Sequence, residues 1–305
     1  MVVFIVMKKL QILFVFGFLV VAGIMAAGCT GENTAPQATV GDTVEAGPKE
    51  KLVLISTPYD TELSSANVLK LVFAQAGYDL EIRIVDVGLA WQGLAEGSGD
   101  FFVGAWLPTC HGQYLEKVGD EIDFVRINLQ GTRCGLAVPT YVTIDSIEEL
   151  NSVKENFDGE IIGIEPGAGI MRGTDKAIED YDLDYTLRAG SEAGMVAMLK
   201  SAIKDEKWVV VTGWSPHWKF VKWDLKYLDD PLNIYGGDEY ISTYTRTGFG
   251  DENPEVYAIL ERFHWEPSDM ESIMLDMNEG MGEVEAATKW VENHPGEVAG
   301  WLGKA

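Results

Sequence analysis

Hydrophobic and polar positions divide this chain into three stretches of different character. Leu10 to Ala27 is uncharged and dominated by Leu, Val, Phe, Ile, Gly and Ala, with Lys8 and Lys9 just ahead of it. Residues 30–50 are rich in Thr, Gly, Ala, Pro and Glu and carry almost no large apolar side chain. From Lys51 onward, short apolar runs alternate with amphipathic segments, the pattern of strands separated by helices in an α/β fold. Strands are expected at Leu52–Ser56, Leu80–Val85 and Phe101–Ala105, with helices at Ser64–Ala76 and Gly88–Ala95 between them. A further strand, Gly135–Val138, closes at Pro139, and Ser146 is placed to cap a helix running to Val153. A second series follows: strand Ile161–Ile164, helices Ile170–Tyr181 and Glu192–Lys204, and strand Trp208–Thr212. The chain returns through Ile241–Thr245. Beyond Asn253 the segments Pro254–Phe263, Pro267–Glu279 and Val284–Asn293 carry helical apolar spacing. Two α/β lobes follow from this order, one of residues 51–143 with 239–305 and one of 144–238, joined by two hinge crossings near 139–144 and 239–245.

The N-terminal run has the charge and apolar pattern of an export signal. At about eighteen residues its length does not separate a cleaved signal from a retained anchor. Ala26-Ala27-Gly28-Cys29 resembles the lipobox of prokaryotic lipoproteins, which implies a signal over residues 1–28, lipid on Cys29 and a flexible tether over 29–50. The alternative is an incidental thiol in an uncleaved anchor. Beyond residue 50 no apolar run is long enough to cross a bilayer. The net charge of −25 becomes more negative still once Lys8 and Lys9 are removed, so nucleic acid is not an expected partner. An acidic, self-repelling surface favours solubility. Cys110 and Cys134 lie in a compartment where a disulfide can persist, and their spacing does not decide whether they pair. Together with His111 and His217 they show neither C-x-x-C nor H-x-x-x-H spacing, so no metal is expected. No cofactor is expected either.

Four segments concentrate aromatic rings or glycines where α/β sheets present binding loops. They are Thr57-Pro58-Tyr59-Asp60-Thr61-Glu62, Ala105-Trp106-Leu107-Pro108-Thr109-Cys110-His111, Gly163-Ile164-Glu165-Pro166-Gly167-Ala168-Gly169-Ile170-Met171 and Gly213-Trp214-Ser215-Pro216-His217-Trp218. Their joint occurrence, with Asp224-Leu225-Lys226-Tyr227-Leu228-Asp229-Asp230-Pro231 after the last, resembles the glycine betaine-binding proteins of osmoprotectant ABC transporters over nearly all of residues 51–301. The resemblance implies a two-lobed periplasmic-binding-protein (Venus-flytrap) fold that captures glycine betaine on the extracytoplasmic face of the membrane and delivers it to ABC permease subunits.

A quaternary ammonium has no N–H to donate, so ring faces select it through cation–π attraction and methyl contact. By resemblance Trp106 and Trp214 are two cage rings, and Tyr59 stands where the family usually has Trp in an A-W-D-S-E-like segment. The carboxylate end is implied to meet the backbone N–H groups of Gly169 and Ile170 at a helix start, with His111 as a further donor. His217, Trp218 and Glu165 read as structural. Proline betaine, carnitine, choline and dimethylsulfoniopropionate remain alternative ligands because of Tyr59, and a sensor ectodomain remains an alternative role. A secreted hydrolase is disfavoured: there is no G-x-S-x-G elbow, no H-E-x-x-H and no nucleophile beside an obvious base. The chain is not expected to be an enzyme.

Overall fold

The computed structural model describes residues 51–237 and 239–304; the signal, Cys29 and the tether lie outside the described residues. The first βα units are β1 (Lys51–Ser56), α1 (Asp60–Gln75), β2 (Asp79–Ile84), α2 (Val87–Ala95), β3 (Phe101–Leu107) and a short α3 (Gly112–Val118). Then comes β4 (Ile122–Pro139), a 3-10 helix over Ile147–Phe157, β5 (Glu160–Ile162), α4 (Gly169–Asp180), β6 (Thr186–Arg188), α5 (Glu192–Lys204), β7 (Val211–Ser215), α6 (Trp218–Lys222) and β8 (Leu225–Tyr227). The chain ends with β9 (Glu239–Arg246) and helices α7 (Phe249–Glu252), α8 (Pro254–Arg262), α9 (Pro267–Asn278), α10 (Glu283–Asn293) and α11 (Pro295–Trp301). Among the described residues no helix is long and apolar enough to cross a membrane.

The strands join in the order β2-β1-β3-β9-β4-β7-β5-β6, with β8 added on β4. β1 pairs in parallel with β2 and β3, and β5 with β6 and β7, as βα crossovers require. The long β4 holds the two series together. Its first part, Ile122–Thr132, is antiparallel to β9, and its second part, Arg133–Ala137, is antiparallel to β7. Register irregularities interrupt the β4–β9 ladder at three points, and such bulges bend a strand and raise its twist. Gly131, with φ at +77°, sits beside the point where β4 changes partner, in a conformation that costs any side chain with a Cβ.

The sequence pattern shows only the apolar end of β4. It also places the strand of residues 208–212 too early: β7 runs through Ser215, so Trp214 belongs to the strand and pairs with Cys134 of β4. Trp106 likewise lies within β3, opposite Ile241 of β9. The segment capped by Ser146 forms as a 3-10 helix, with the Ser146 hydroxyl accepting from the Glu148 N–H and Glu149 returning the capping contact.

The C-terminal helices pack on the first series, with α1 against α9 and α10. Their core is aromatic: the Trp290 ring stacks on His294 at 4.2 Å and lies parallel to Trp301 at 5.6 Å, with Trp265 edge-on at 5.9 Å. Trp290 is buried. Truncating it leaves a cavity the neighbours cannot fill, so Trp290→Ala is expected to lose about 3–5 kcal/mol of stability, read from the denaturant midpoint.

Candidate functional site

Tyr59, Trp106, His111, Gly169, Ile170 and Trp214 all line one small cavity, on the line where the two β/α series meet. Trp106 and Trp214 project from strands whose backbones are held in ladders on β9 and β4. Tyr59 is the residue preceding α1, with extended backbone, and its ring meets Trp214 edge-on at 6.3 Å. Burial pushes the Tyr59 hydroxyl pKa well up, with the Glu165 and Glu62 carboxylates adding to it, so the ring stays a neutral phenol.

The turn before α4 is shaped by one close approach. A Cβ on Gly169 would lie 1.8 Å from the backbone oxygen of Cys110, so only glycine fits here. Gly169 and Ile170 are the first two residues of α4, and a helix leaves its first N–H groups without intrahelical acceptors. That positive end lies in the cavity wall and suits an anion. His111 stands beside it. Its Nδ1 accepts the Trp106 backbone N–H at 3.1 Å, and the His111 backbone N–H donates to the Trp106 carbonyl at 2.8 Å. Burial, with Arg172 contributing, pushes its pKa down to about 3. A neutral imidazole that accepts at Nδ1 carries its proton on Nε2, which makes His111 a fixed donor.

Further residues line the cavity beyond the six site candidates, all but Cys134 from the four motifs already singled out. Glu62 lies one turn into α1, Cys110 and Cys134 face each other at 2.7 Å between sulfurs, and Thr61, Ile164 and Ala168 complete the wall. Its contact with Cys110, and then burial, raise the Cys134 thiol well above the ordinary range. A glutamate at a helix position otherwise occupied by buried small and apolar residues is the signal that could have marked Glu62.

Behind the cavity, His217 is fully buried, accepting the Lys219 N–H at Nδ1 and meeting Glu192 through Nε2 at 2.6 Å. Burial, then Lys219, holds its pKa down, so it is neutral. Glu192 in turn accepts the Asp60 N–H at 3.2 Å, and Asp60 accepts the Trp218 indole N–H at 2.8 Å. His217 and Trp218 thus hold α5 and α6 to the start of α1, away from the cavity wall. The Tyr114 hydroxyl donates to the Gly167 carbonyl at 2.7 Å, and Arg172 donates to the Cys110 carbonyl at 3.2 Å, crossing the same seam. Asp60, Glu192 and His217 gather within 4.8 Å of one another, and these hydrogen bonds occupy them. Lys219 Nζ lies 3.6 Å from the Trp214 ring centroid and has no hydrogen-bond partner, and burial pushes its pKa down. Glu165 is half-buried and keeps one carboxylate oxygen unpartnered.

The cavity can therefore take a small solute with an apolar cationic end against rings and an anionic end against N–H donors. A sequence profile of the substrate-binding domain of ABC-type glycine betaine transport systems matches residues 50–293. Over 171 residues the chain is 44% identical to the glycine betaine/carnitine transport binding protein of Listeria monocytogenes, covering 55% of each. The match spans little more than half of that relative's length. Among solved structures, lactococcal OpuAC in its closed conformation with glycine betaine is similar at a TM-score of 0.80 and 41% identity, over 83% of this chain and 99% of that one. An ABC-transporter choline-binding protein in complex with choline is similar at a TM-score of 0.78 and 25% identity, over 83% of this chain and 91% of that one. The α/β fold is thus of the two-lobed binding-protein type.

Proposed function

Because the chain belongs to the family of substrate-binding domains of ABC-type glycine betaine transport systems, we propose that it captures glycine betaine outside the cytoplasm and hands it to an ABC importer. The observation that carries this reading is the polarity of one cavity: Tyr59, Trp106 and Trp214 at one part of the wall, and the Gly169 and Ile170 amides with His111 at another. The trimethylammonium group packs against the rings, each contact contributing about 0.5–2 kcal/mol according to its desolvation. The carboxylate takes the helix-start amides and His111 Nε2–H. Tyr59, Trp106 and His111 precede β4, whereas Gly169, Ile170 and Trp214 follow it, so one ligand touches both lobes and favours their closure. Lobe 1 comprises residues 51–143 and 239–305, and lobe 2 residues 144–238. Lipid on Cys29 and the tether of 29–50 keep the protein at the membrane surface, within reach of the permease subunits.

Titration followed by tryptophan fluorescence, with glycine betaine, proline betaine, carnitine, dimethylsulfoniopropionate and choline in parallel, tests the reading. The carboxylated ligands should bind at least about tenfold tighter than choline, a difference of about 1.4 kcal/mol from the amide and His111 contacts. Choline binding as tight as betaine binding removes the anion-site assignment. No binding of any quaternary ammonium removes the function.

A further inference from the structure

Glu62 is buried in the cavity wall, and its surroundings are built to keep it there. Oε1 accepts the Trp106 indole N–H at 2.6 Å, and Oε2 accepts the Thr61 hydroxyl at 2.6 Å. β3 makes room for the side chain: a Cβ on Gly104 would lie 2.6 Å from Glu62 Cγ and 3.1 Å from Oε1. A carboxylate shut off from water needs a cation as well as hydrogen bonds to offset its desolvation. The neighbours acting on Glu62 are Thr61, Trp106 and the carboxylate Glu192, and among the described residues no cation pairs with it. The described residues therefore supply no cation that would keep this carboxyl ionised.

The structure assigns Glu62 the counter-charge to the ligand's ammonium group, acting into the cavity and through the Trp106 indole that it holds by the ring nitrogen. The inference rests on the reading that the ligand is a quaternary ammonium compound. An anion on the indole N–H raises the electron density of the ring, which strengthens its attraction for a cation on its face. Trp106 is thus the anion-backed ring of the cage, whereas Trp214 carries the Lys219 amine at 3.6 Å.

Burial pushes the Glu62 carboxyl up to about 7. A cation arriving in the cavity favours the ionised form, so the liganded pKa lies below the free one. Binding then expels a proton in that window, and affinity falls as the pH drops below about 7 and is flat above it. The other titratable groups around the site are Tyr59 and Asp60 at the start of α1, His111 and Cys110 after β3, Cys134 on β4, Glu165, Glu192 on α5 and Lys219 on α6. His111, neutral down to about pH 3, and Tyr59, neutral throughout, do not titrate in this window. Lys219 and Glu192 do reach it, so the profile belonging to Glu62 is the part that Glu62→Gln removes.

The test is calorimetric titration of the full chain and of Glu62→Gln with glycine betaine and with 3,3-dimethylbutanoate, the carbon isostere that keeps the carboxylate and lacks the positive charge on its trimethyl end. Gln keeps an acceptor for the Trp106 indole, removes the charge, and turns an NH2 donor toward the Thr61 hydroxyl, which can accept it. Above pH 7.5, Glu62→Gln should weaken betaine binding about tenfold, the equivalent of about 1.4 kcal/mol, and leave the isostere within about twofold. It should also flatten the loss of betaine affinity between pH 7.5 and 5.5. Unchanged betaine affinity, an equal loss for both ligands, or an unchanged pH profile overturns the inference alone. Wild-type protein that binds no quaternary ammonium overturns the functional reading and the inference with it. A second readout is proton release at pH 6.5, from titrations of wild type and Glu62→Gln in two buffers of different ionisation enthalpy, the release assigned to Glu62 being the part that the variant lacks. Such release supports the assignment, and its absence overturns it.

Discussion

Trp214→Ala and Trp106→Ala are each expected to weaken glycine betaine binding by at least about 100-fold, close to 3 kcal/mol, while the protein stays folded. A desolvated cation–π contact contributes about 2 kcal/mol, and the ring's lost apolar contact with the methyl groups adds about 1 kcal/mol at roughly 25 cal/mol per Å². Each ring also shapes the cavity from a strand, so no neighbouring side chain can swing in to replace it. The two variants differ in one respect. Removing Trp106 also leaves Glu62 without its indole donor, so Trp106→Ala should be the more damaging to stability. Trp290→Ala is the control: its ring belongs to the C-terminal aromatic cluster and not to the cavity wall, so it should lower the unfolding midpoint and leave the dissociation constant within about twofold. Betaine affinity retained in both cage variants would remove the aromatic cage as the cation site.

Gly169→Ala should be somewhat less severe for binding and milder for folding. The added Cβ would meet the Cys110 oxygen at 1.8 Å and its carbonyl carbon at 2.5 Å, and backbone cannot turn away as a flexible side chain can. The start of α4 has to retreat from the turn after β3, taking the Gly169 and Ile170 amides away from the cavity. That seam lies between the two lobes, so opening them relieves the clash without unfolding either. The substitution therefore acts on the population of the closed, binding-competent state, and apparent affinity falls by the same fraction. The expected result is a loss of at least about 30-fold in betaine affinity, about 2 kcal/mol, with little change in the melting temperature of the ligand-free protein. A variant that binds betaine normally would show that the helix start does not serve as the carboxylate site. A large fall in ligand-free stability with normal affinity in the surviving fraction would assign Gly169 to packing alone.

Much of this organisation is legible residue by residue. Helix α5 begins and ends where apolar spacing places it, at Glu192 and Lys204, because a capped amphipathic segment carries its own boundaries. The same holds for α8 and α9, whose first helical residues are Pro254 and Pro267. All six residues singled out as the site come together in one cavity, since each sits in a short motif with its own ring or glycine pattern. β4 is different. Its ladder with β9 is broken by register shifts, so its alternation of apolar and polar positions slips, and the only part that stands out is the apolar end near Pro139. In the sequence Trp106 and Trp214 read as following strands for a related reason: proline two residues beyond each ring reads as a loop, although the ladder continues through the tryptophan itself.

The α/β class and the two series of units are properties of local pattern and residue type, and the expectation of a cage facing an anion site comes from the resemblance that four short motifs carry. Each can be stated from contiguous residues, because periodicity, capping and ring chemistry act over a few positions. Which buried groups confront one another is not such a property. Glu62 and Trp106 lie 44 residues apart and meet at 2.6 Å; Asp60 and Trp218, 158 apart, close the seam behind the cavity; Gly169 presses on Cys110 across the two lobes. These pairings arise because one bent strand, β4, brings the two series edge to edge. They turn six recognisable positions into a site with a buried carboxyl, lacking a cationic partner among the described residues, beside one of its rings.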